Sequence, residues 1–161
     1  MGSKFLIDTN IWVDLLGNVA QAATTLKGVD DAAISAITYM EVASGCTPPE
    51  KVFFDLLLEN GVEIIGTNAQ IRVFATAFNQ DPITLRGRGT KRLADSIIGA
   101  TAVACNRILI TRNPNDFNNR TGITIYTRYQ GKWTVCVANG VEVKIWTPTF
   151  PPATSAASPP P

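Results

Sequence analysis

Histidine is absent from this 161-residue chain, and the absence excludes more chemistry than any motif does. Without it there is no Ser-His-Asp triad, no Cys-His pair, no imidazole general base and no His-ligated zinc. Cysteine is scarce as well. Three scattered residues, Cys46, Cys105 and Cys136, give neither a disulfide framework nor a four-thiolate metal site, and they suit a reducing, cytoplasmic setting. No apolar run approaches the ~20 residues needed to span a bilayer, and no basic stretch with an apolar signal core opens the chain. Excess charge of either sign is also missing: 14 Lys and Arg stand against 13 Asp and Glu. What remains for catalysis is carboxylates, lysine, hydroxyls and thiols. With 45% apolar residues, the chain can bury one core.

Apolar runs at Lys4 to Asp8, Ala32 to Ile37, Val62 to Ile65, Arg107 to Thr111 and Ile123 to Thr127 predict short buried strands. Between them lie helical patterns. One is capped by Asn10 and stopped by Gly17; one runs from Thr38 to Ser44; one starts at the Thr47-Pro48-Glu50 capping box; one follows Asn68; and one, rich in small residues, spans about Leu93 to Cys105. Strands alternating with helices predict an α/β fold: a central parallel sheet with helices on both faces. Past residue 130 the pattern changes. Trp133 to Val137 and Val141 to Trp146 alternate around Asn139-Gly140, which predicts a β-hairpin with a Trp133–Trp146 cross-strand pair over residues 131–146. Residues 147–161, rich in Pro, Ala, Ser and Thr, are expected to be a disordered tail.

Four acids stand out against this frame. Asp8 closes the first strand, Glu41 lies in the helix after the second, Asp95 opens the small-residue helix and Asp116 follows the Arg107 to Thr111 strand. In open parallel sheets the carboxyl ends of the strands host the site, so a reversal of winding beside the first strand would bring Asp8 and Asp116 into one crevice, with Glu41 and Asp95 able to point into it. Clustered carboxylates repel each other, and a hard divalent cation resolves the conflict. Each acid alone also has a plainer role: Asp8 as a helix cap, Glu41 on a solvated face, Asp95 on a helix dipole, Asp116 in a turn.

The local wording goes further. Ile7-Asp8-Thr9-Asn10, Thr38-Tyr39-Met40-Glu41-Val42-Ala43-Ser44-Gly45, Arg92-Leu93-Ala94-Asp95-Ser96-Ile97-Ile98 and Ile110-Thr111-Arg112-Asn113-Pro114-Asn115-Asp116-Phe117 together resemble the PIN domain, and within it the VapC-like toxins of type II toxin–antitoxin systems. The resemblance covers about residues 4–130 and implies a three-layer α/β/α nuclease domain over 1–130. It also implies a metal-dependent endoribonuclease using Mg²⁺ or Mn²⁺, with Asp8, Glu41, Asp95 and Asp116 as its acids and Asp8, Asp95 and Asp116 as metal ligands. Thr9, Asn10, Thr111 and Asn113 would support them by hydrogen bonds. Some PIN domains carry an acid where this chain has Asn113, which leaves the fourth ligand open between Asn113 and Asp116. RNA as substrate, a cognate antitoxin and a homodimer are the implied partners. A catalytically silent PIN module that binds RNA or protein is the alternative; a haloacid-dehalogenase-type phosphohydrolase ranks low, because its second Asp is Asn10 here.

The near-zero net charge conceals an asymmetry. Residues 1–85 carry 4 basic and 10 acidic side chains, whereas residues 86–132 carry 9 basic and 2 acidic ones. Arg86, Arg88, Lys91 and Arg92 lead directly into Asp95, and with Arg112 they are candidates to hold RNA phosphates; the same charges could simply solvate an exposed loop. The cysteines and Trp12 are expected to be core or incidental residues.

Overall fold

The computed structural model describes residues 2–80, 89–117, 123, 125–127, 131–138 and 141–148. Five parallel strands form one sheet: β1 (Lys4–Ile7), β2 (Asp31–Ser35), β3 (Val62–Ile65), β4 (Ile108–Thr111) and β5 (Ile125–Thr127), in the order β3-β2-β1-β4-β5. Winding runs outward from β1 in both directions. The β1/β4 boundary is therefore a topological switch point, where the carboxyl ends of two neighbouring strands lead into loops that diverge and leave a crevice.

Period-two alternation assigns each strand residue to a face. Phe5, Ile7, Ile34, Ile108 and Ile110 point to one side and pack with Ile11, Trp12, Ala22, Val42, Phe54 and Leu58, from helices α1 (Thr9–Leu16), α2 (Ala20–Lys27), α3 (Ala36–Gly45) and α4 (Pro48–Glu59). Leu6, Ala33 and Leu109 point to the other side, against Ile98 and Ala102 of α6 (Gly89–Ala104) and Phe117. A third cluster joins α6 to α5 (Ala69–Gln80) through Ile71, Ala75, Phe78 and Ala100. These are the three α/β/α layers.

Several expectations are met residue by residue. Thr47 N–H and hydroxyl both donate to Glu50 Oε2 at 2.7 Å, and Asn68 Oδ1 accepts from Ile71 N–H at 2.9 Å. The hairpin is present as β6 (Gly131–Ala138) and β7 (Val141–Pro148), with Trp133 in register with Trp146. It runs two residues past the expected end at 146, because Thr147 and Pro148 pair with Lys132 and Gly131, while Asn139, Gly140 and residues 149–161 lie outside the described residues. It forms a sheet of its own, and β7 lies against α2.

Others are corrected. Helix α1 is capped by Asp8, not Asn10: Asp8 Oδ1 accepts the Thr9 N–H at 2.7 Å, so the chain turns helical two residues earlier than a cap at Asn10 allows. Strand β2 ends at Ser35, whose hydroxyl caps α3 by accepting from Thr38 N–H at 3.2 Å; that cap overrides the β-branched Ile37 read as strand. Helix α6 starts at Gly89 rather than near Leu93, so Asp95 sits in its second turn and the macrodipole of its first turn does not explain an acid there.

Candidate active site

Asp8, Glu41, Asp95 and Asp116 come from β1/α1, α3, α6 and the 3₁₀ turn Pro114–Asp116, and all four line one open cleft of about 230 Å³. Thr9, Asn10, Val13, Arg112 and Asn113 complete its described lining. The cleft lies beyond the carboxyl ends of β1 and β4, at the switch point.

Asp8 is the centre of the hydrogen-bonding arrangement. It is 4% exposed, and both oxygens accept short hydrogen bonds. Thr9 N–H reaches Oδ1 at 2.7 Å; the Thr111 hydroxyl at 2.7 Å and the Asn10 amide at 2.9 Å reach Oδ2. Burial nonetheless pushes its pKa up to about 6, aided by the charges of Glu41 and Asp116 and opposed by the Thr111 and Thr9 hydrogen bonds. Desolvation thus outweighs this donor set.

Glu41 is anchored differently. The Thr9 hydroxyl donates to Glu41 Oε2 at 2.5 Å. Behind it, Thr9 Oγ1 lies 3.5 Å from Thr38 Oγ1, which accepts from the buried Ser35 hydroxyl at 3.0 Å. A chain of hydroxyls therefore runs from the end of β2 to an exposed carboxylate. Thr111, buried behind the cleft, serves two masters: besides Asp8 it accepts from Asn113 N–H at 3.0 Å. That bond sets the path of the segment leading to Asp116.

Eight of the thirteen residues singled out in the sequence thus meet in one cleft, with Thr111 directly behind it. Arg86 and Arg88 fall outside the described residues; Lys91 and Arg92 lie in the first turn of α6, at the backbone level. Among the described residues no three acidic side chains converge into a ready-made ligand cluster. Sequence reasoning passed over Ser35 and Thr38, which sit behind Glu41, and Asp14. Asp14 is four residues from Asn10 on α1, a spacing that places both on one helix face.

The sequence profile of the PIN domain matches residues 5–122. A comparison with curated protein sequences gives no match. Among solved structures, a toxin–antitoxin complex from Klebsiella pneumoniae contains a chain 31% identical, covering 78% of this chain and 98% of its own, with a TM-score of 0.62. VapBC2 from Rickettsia felis, solved with a promoter DNA fragment, matches at 20% identity over 76% of this chain and 96% of its own, with a TM-score of 0.63. DNA-bound VapBC from Salmonella typhimurium matches at 19% identity over 78% and 98%, with a TM-score of 0.62. The profile match spans strands β1 to β4, save Lys4, and every acid that lines the switch-point cleft. The chain belongs to the PIN domain family and is VapC-like in fold.

Proposed function

We propose that this chain is a metal-dependent endoribonuclease and the toxin of a type II toxin–antitoxin pair. The observation that carries the reading is the meeting of four carboxylates from four separate elements in one cleft, around an Asp8 whose burial calls for a cation. The donor set is all oxygen, which suits Mg²⁺ or Mn²⁺. Mg²⁺ commonly keeps several waters and binds through one or two carboxylates, so three converging side chains are not required. Asp8, Asp95 and Asp116 are the residues that would hold it, directly or through its waters, with Asn113 on the same lining as a further oxygen donor. When bound, such an ion acidifies water and offsets charge on a phosphoryl oxygen.

The chain's own groups do the rest. Thr111 and Asn10 fix the Asp8 carboxylate in one orientation. Glu41, steadied by Thr9, is placed to accept a proton at the cleft wall. Arg112 and the basic segment around residues 86–92 are proposed to take RNA phosphates; the cleft itself is acidic and would otherwise repel the substrate. Residues 1–130 are proposed as the nuclease unit, with the hairpin as an appendage. The toxin role rests on the relatives: the Klebsiella chain, at 31% identity, comes from a toxin–antitoxin complex. An antitoxin that covers the cleft is accordingly the proposed partner, together with a second copy of the chain as a homodimer.

Among the described residues no helix is long and apolar enough to cross a membrane. The test is cleavage of RNA by the purified chain with Mg²⁺ or Mn²⁺, and its loss on adding EDTA. The products should carry 3′-hydroxyl and 5′-phosphate ends. RNA binding that is indifferent to chelation, with no cleavage under any metal, would instead identify a silent binding module.

A further inference from the structure

Arg112 is held at both ends by one face of α1. Its backbone N–H donates to Asn10 Oδ1 at 3.0 Å, and its Nη1 donates to Asp14 Oδ1 at 3.0 Å, Asn10 and Asp14 being one helical turn apart. Asp14 is 8% exposed, in a position on α1 that faces the protein rather than solvent. A carboxylate buried there is costly unless paired, and an apolar residue would serve packing better. The Arg112 side chain, in contrast, is 45% exposed and lines the cleft. It is the one basic side chain among the described residues of that lining.

We propose that Asp14 is a positioning residue: by fixing the Arg112 guanidinium at the cleft mouth, it presents that cation to a backbone phosphate of RNA flanking the bond to be cut. The inference rests on the ribonuclease reading above and adds to it a buried carboxylate that touches no substrate. Asp14 engages one nitrogen of the guanidinium, and the planar fork leaves another edge for a phosphate oxygen. A long side chain fixed before the substrate arrives loses little rotamer freedom on binding. The same ion pair explains why Arg112 does not fold back onto the four carboxylates of the cleft, which would neutralise the residues proposed to hold the cation.

The experiment is fluorescence anisotropy with a labelled single-stranded RNA of mixed sequence, in EDTA so that it is not cut, over a series of salt concentrations. Arg112→Ala should weaken binding about tenfold and reduce the slope of log K against log salt by about 0.7, the value for one lost phosphate contact on a single strand. Asp14→Ala should reproduce both changes, and Asp14→Ala/Arg112→Ala should be no weaker than Arg112→Ala alone. Asp14→Asn keeps the shape and an acceptor oxygen and should fall between wild type and Asp14→Ala, so the comparison survives if the alanine variant fails to fold. A merely structural Asp14 would lower the melting temperature and leave the salt slope at its wild-type value, and that result overturns the proposal while the ribonuclease reading stands. No RNA binding by the wild-type chain in EDTA would overturn the proposal, while the ribonuclease reading is decided separately by cleavage with Mg²⁺ or Mn²⁺.

Discussion

Asp8→Asn is expected to abolish RNA cleavage and, in the metal-free protein at neutral pH, to raise the melting temperature. The two effects have one origin. Asp8 is buried, and its pKa of about 6 lies above the ordinary 3.8 because burial penalises the charge. A carboxylate shifted upward on folding favours the folded state below pH ~4 and loses that contribution as pH rises through about 6. The shift corresponds to about 3 kcal/mol of strain on the metal-free fold at pH 8. The substituted amide removes it. Its oxygen can keep the bond from Thr9 N–H, but the new nitrogen faces two donors, the Asn10 amide at 2.9 Å and the Thr111 hydroxyl, whose oxygen already accepts from Asn113 N–H; losing both bonds costs about 2 kcal/mol. The net gain of about 1 kcal/mol should raise the melting temperature by roughly 2–4 °C at pH 8 in EDTA.

Near pH 4, where Asp8 is already protonated in the folded state, the gain should be gone and the variant should melt below wild type by the cost of its lost hydrogen bonds. Cleavage in saturating Mg²⁺ should fall by roughly a thousandfold, the scale of losing several kcal/mol of charge stabilisation at the phosphate. Melting curves across pH 4–8 and a cleavage assay check both halves. A variant that melts below wild type at pH 8 would show that the hydrogen bonds, not the burial, dominate at Asp8; a variant that still cuts RNA at the normal rate would sink the proposed role.

How much of this was readable beforehand depends on where the information sits in the chain. The strands were legible because each is a short, fully buried apolar run, and Ile7-Asp8-Thr9-Asn10 announced the end of β1. The capping box at Thr47 and Glu50 and the hairpin at Asn139-Gly140 were legible because their chemistry is local. Helix α2 was not. Ala20–Lys27 reads AQAATTLK, with buried Ala22 and Thr25 too small and too polar to mark a face, and Val19 at its N-cap offers no side-chain cap. The start of α6 was obscured by Gly87 and Gly89, which suggest a loop, although the helix begins at Gly89 itself.

At the site, the acids could be listed but their meeting could not. That depends on the switch between β1 and β4, a non-local fact carried by residues about 100 positions apart, such as Asp8 and Thr111. Asp14 was the instructive omission. Its partner Arg112 is 98 residues away, so nothing in its neighbourhood distinguishes it from a solvated helix acid.

The opposite edge of the same sheet supports the second large effect: Arg107→Met should cost about 3 kcal/mol of stability and leave cleavage per folded molecule unchanged. Arg107 stands just before β4, with its side chain 6% exposed. Its Nη1 donates to Asp31 Oδ1 at 2.6 Å and to the carbonyls of Phe5 and Asp31 at 3.3 and 3.4 Å, and its Nη2 donates to Glu63 Oε2 at 2.7 Å. One guanidinium therefore ties the amino ends of β1, β2 and β3 to β4. Methionine fills the space of the aliphatic stem but removes all of these donors at once, including the buried bond to the Phe5 carbonyl, which is the costly way to break such a network. The acids are less critical, because the Asp31 and Glu63 side chains are 44% and 61% exposed and water can take over from the arginine. Asp31→Ala or Glu63→Ala should each cost no more than about 1 kcal/mol. Denaturant unfolding of the three variants separates the cases, and equal losses in all three would show that charge pairing rather than carbonyl capping holds the strands. Activity should survive Arg107→Met below its melting temperature, because the clamp acts at the amino ends of the strands and the cleft lies at their carboxyl ends. A parallel sheet with its switch point at β1 lets the two ends be strained independently: burial of the Asp8 charge destabilises one end, where the proposed cation would bind, and Arg107 offsets that cost at the other.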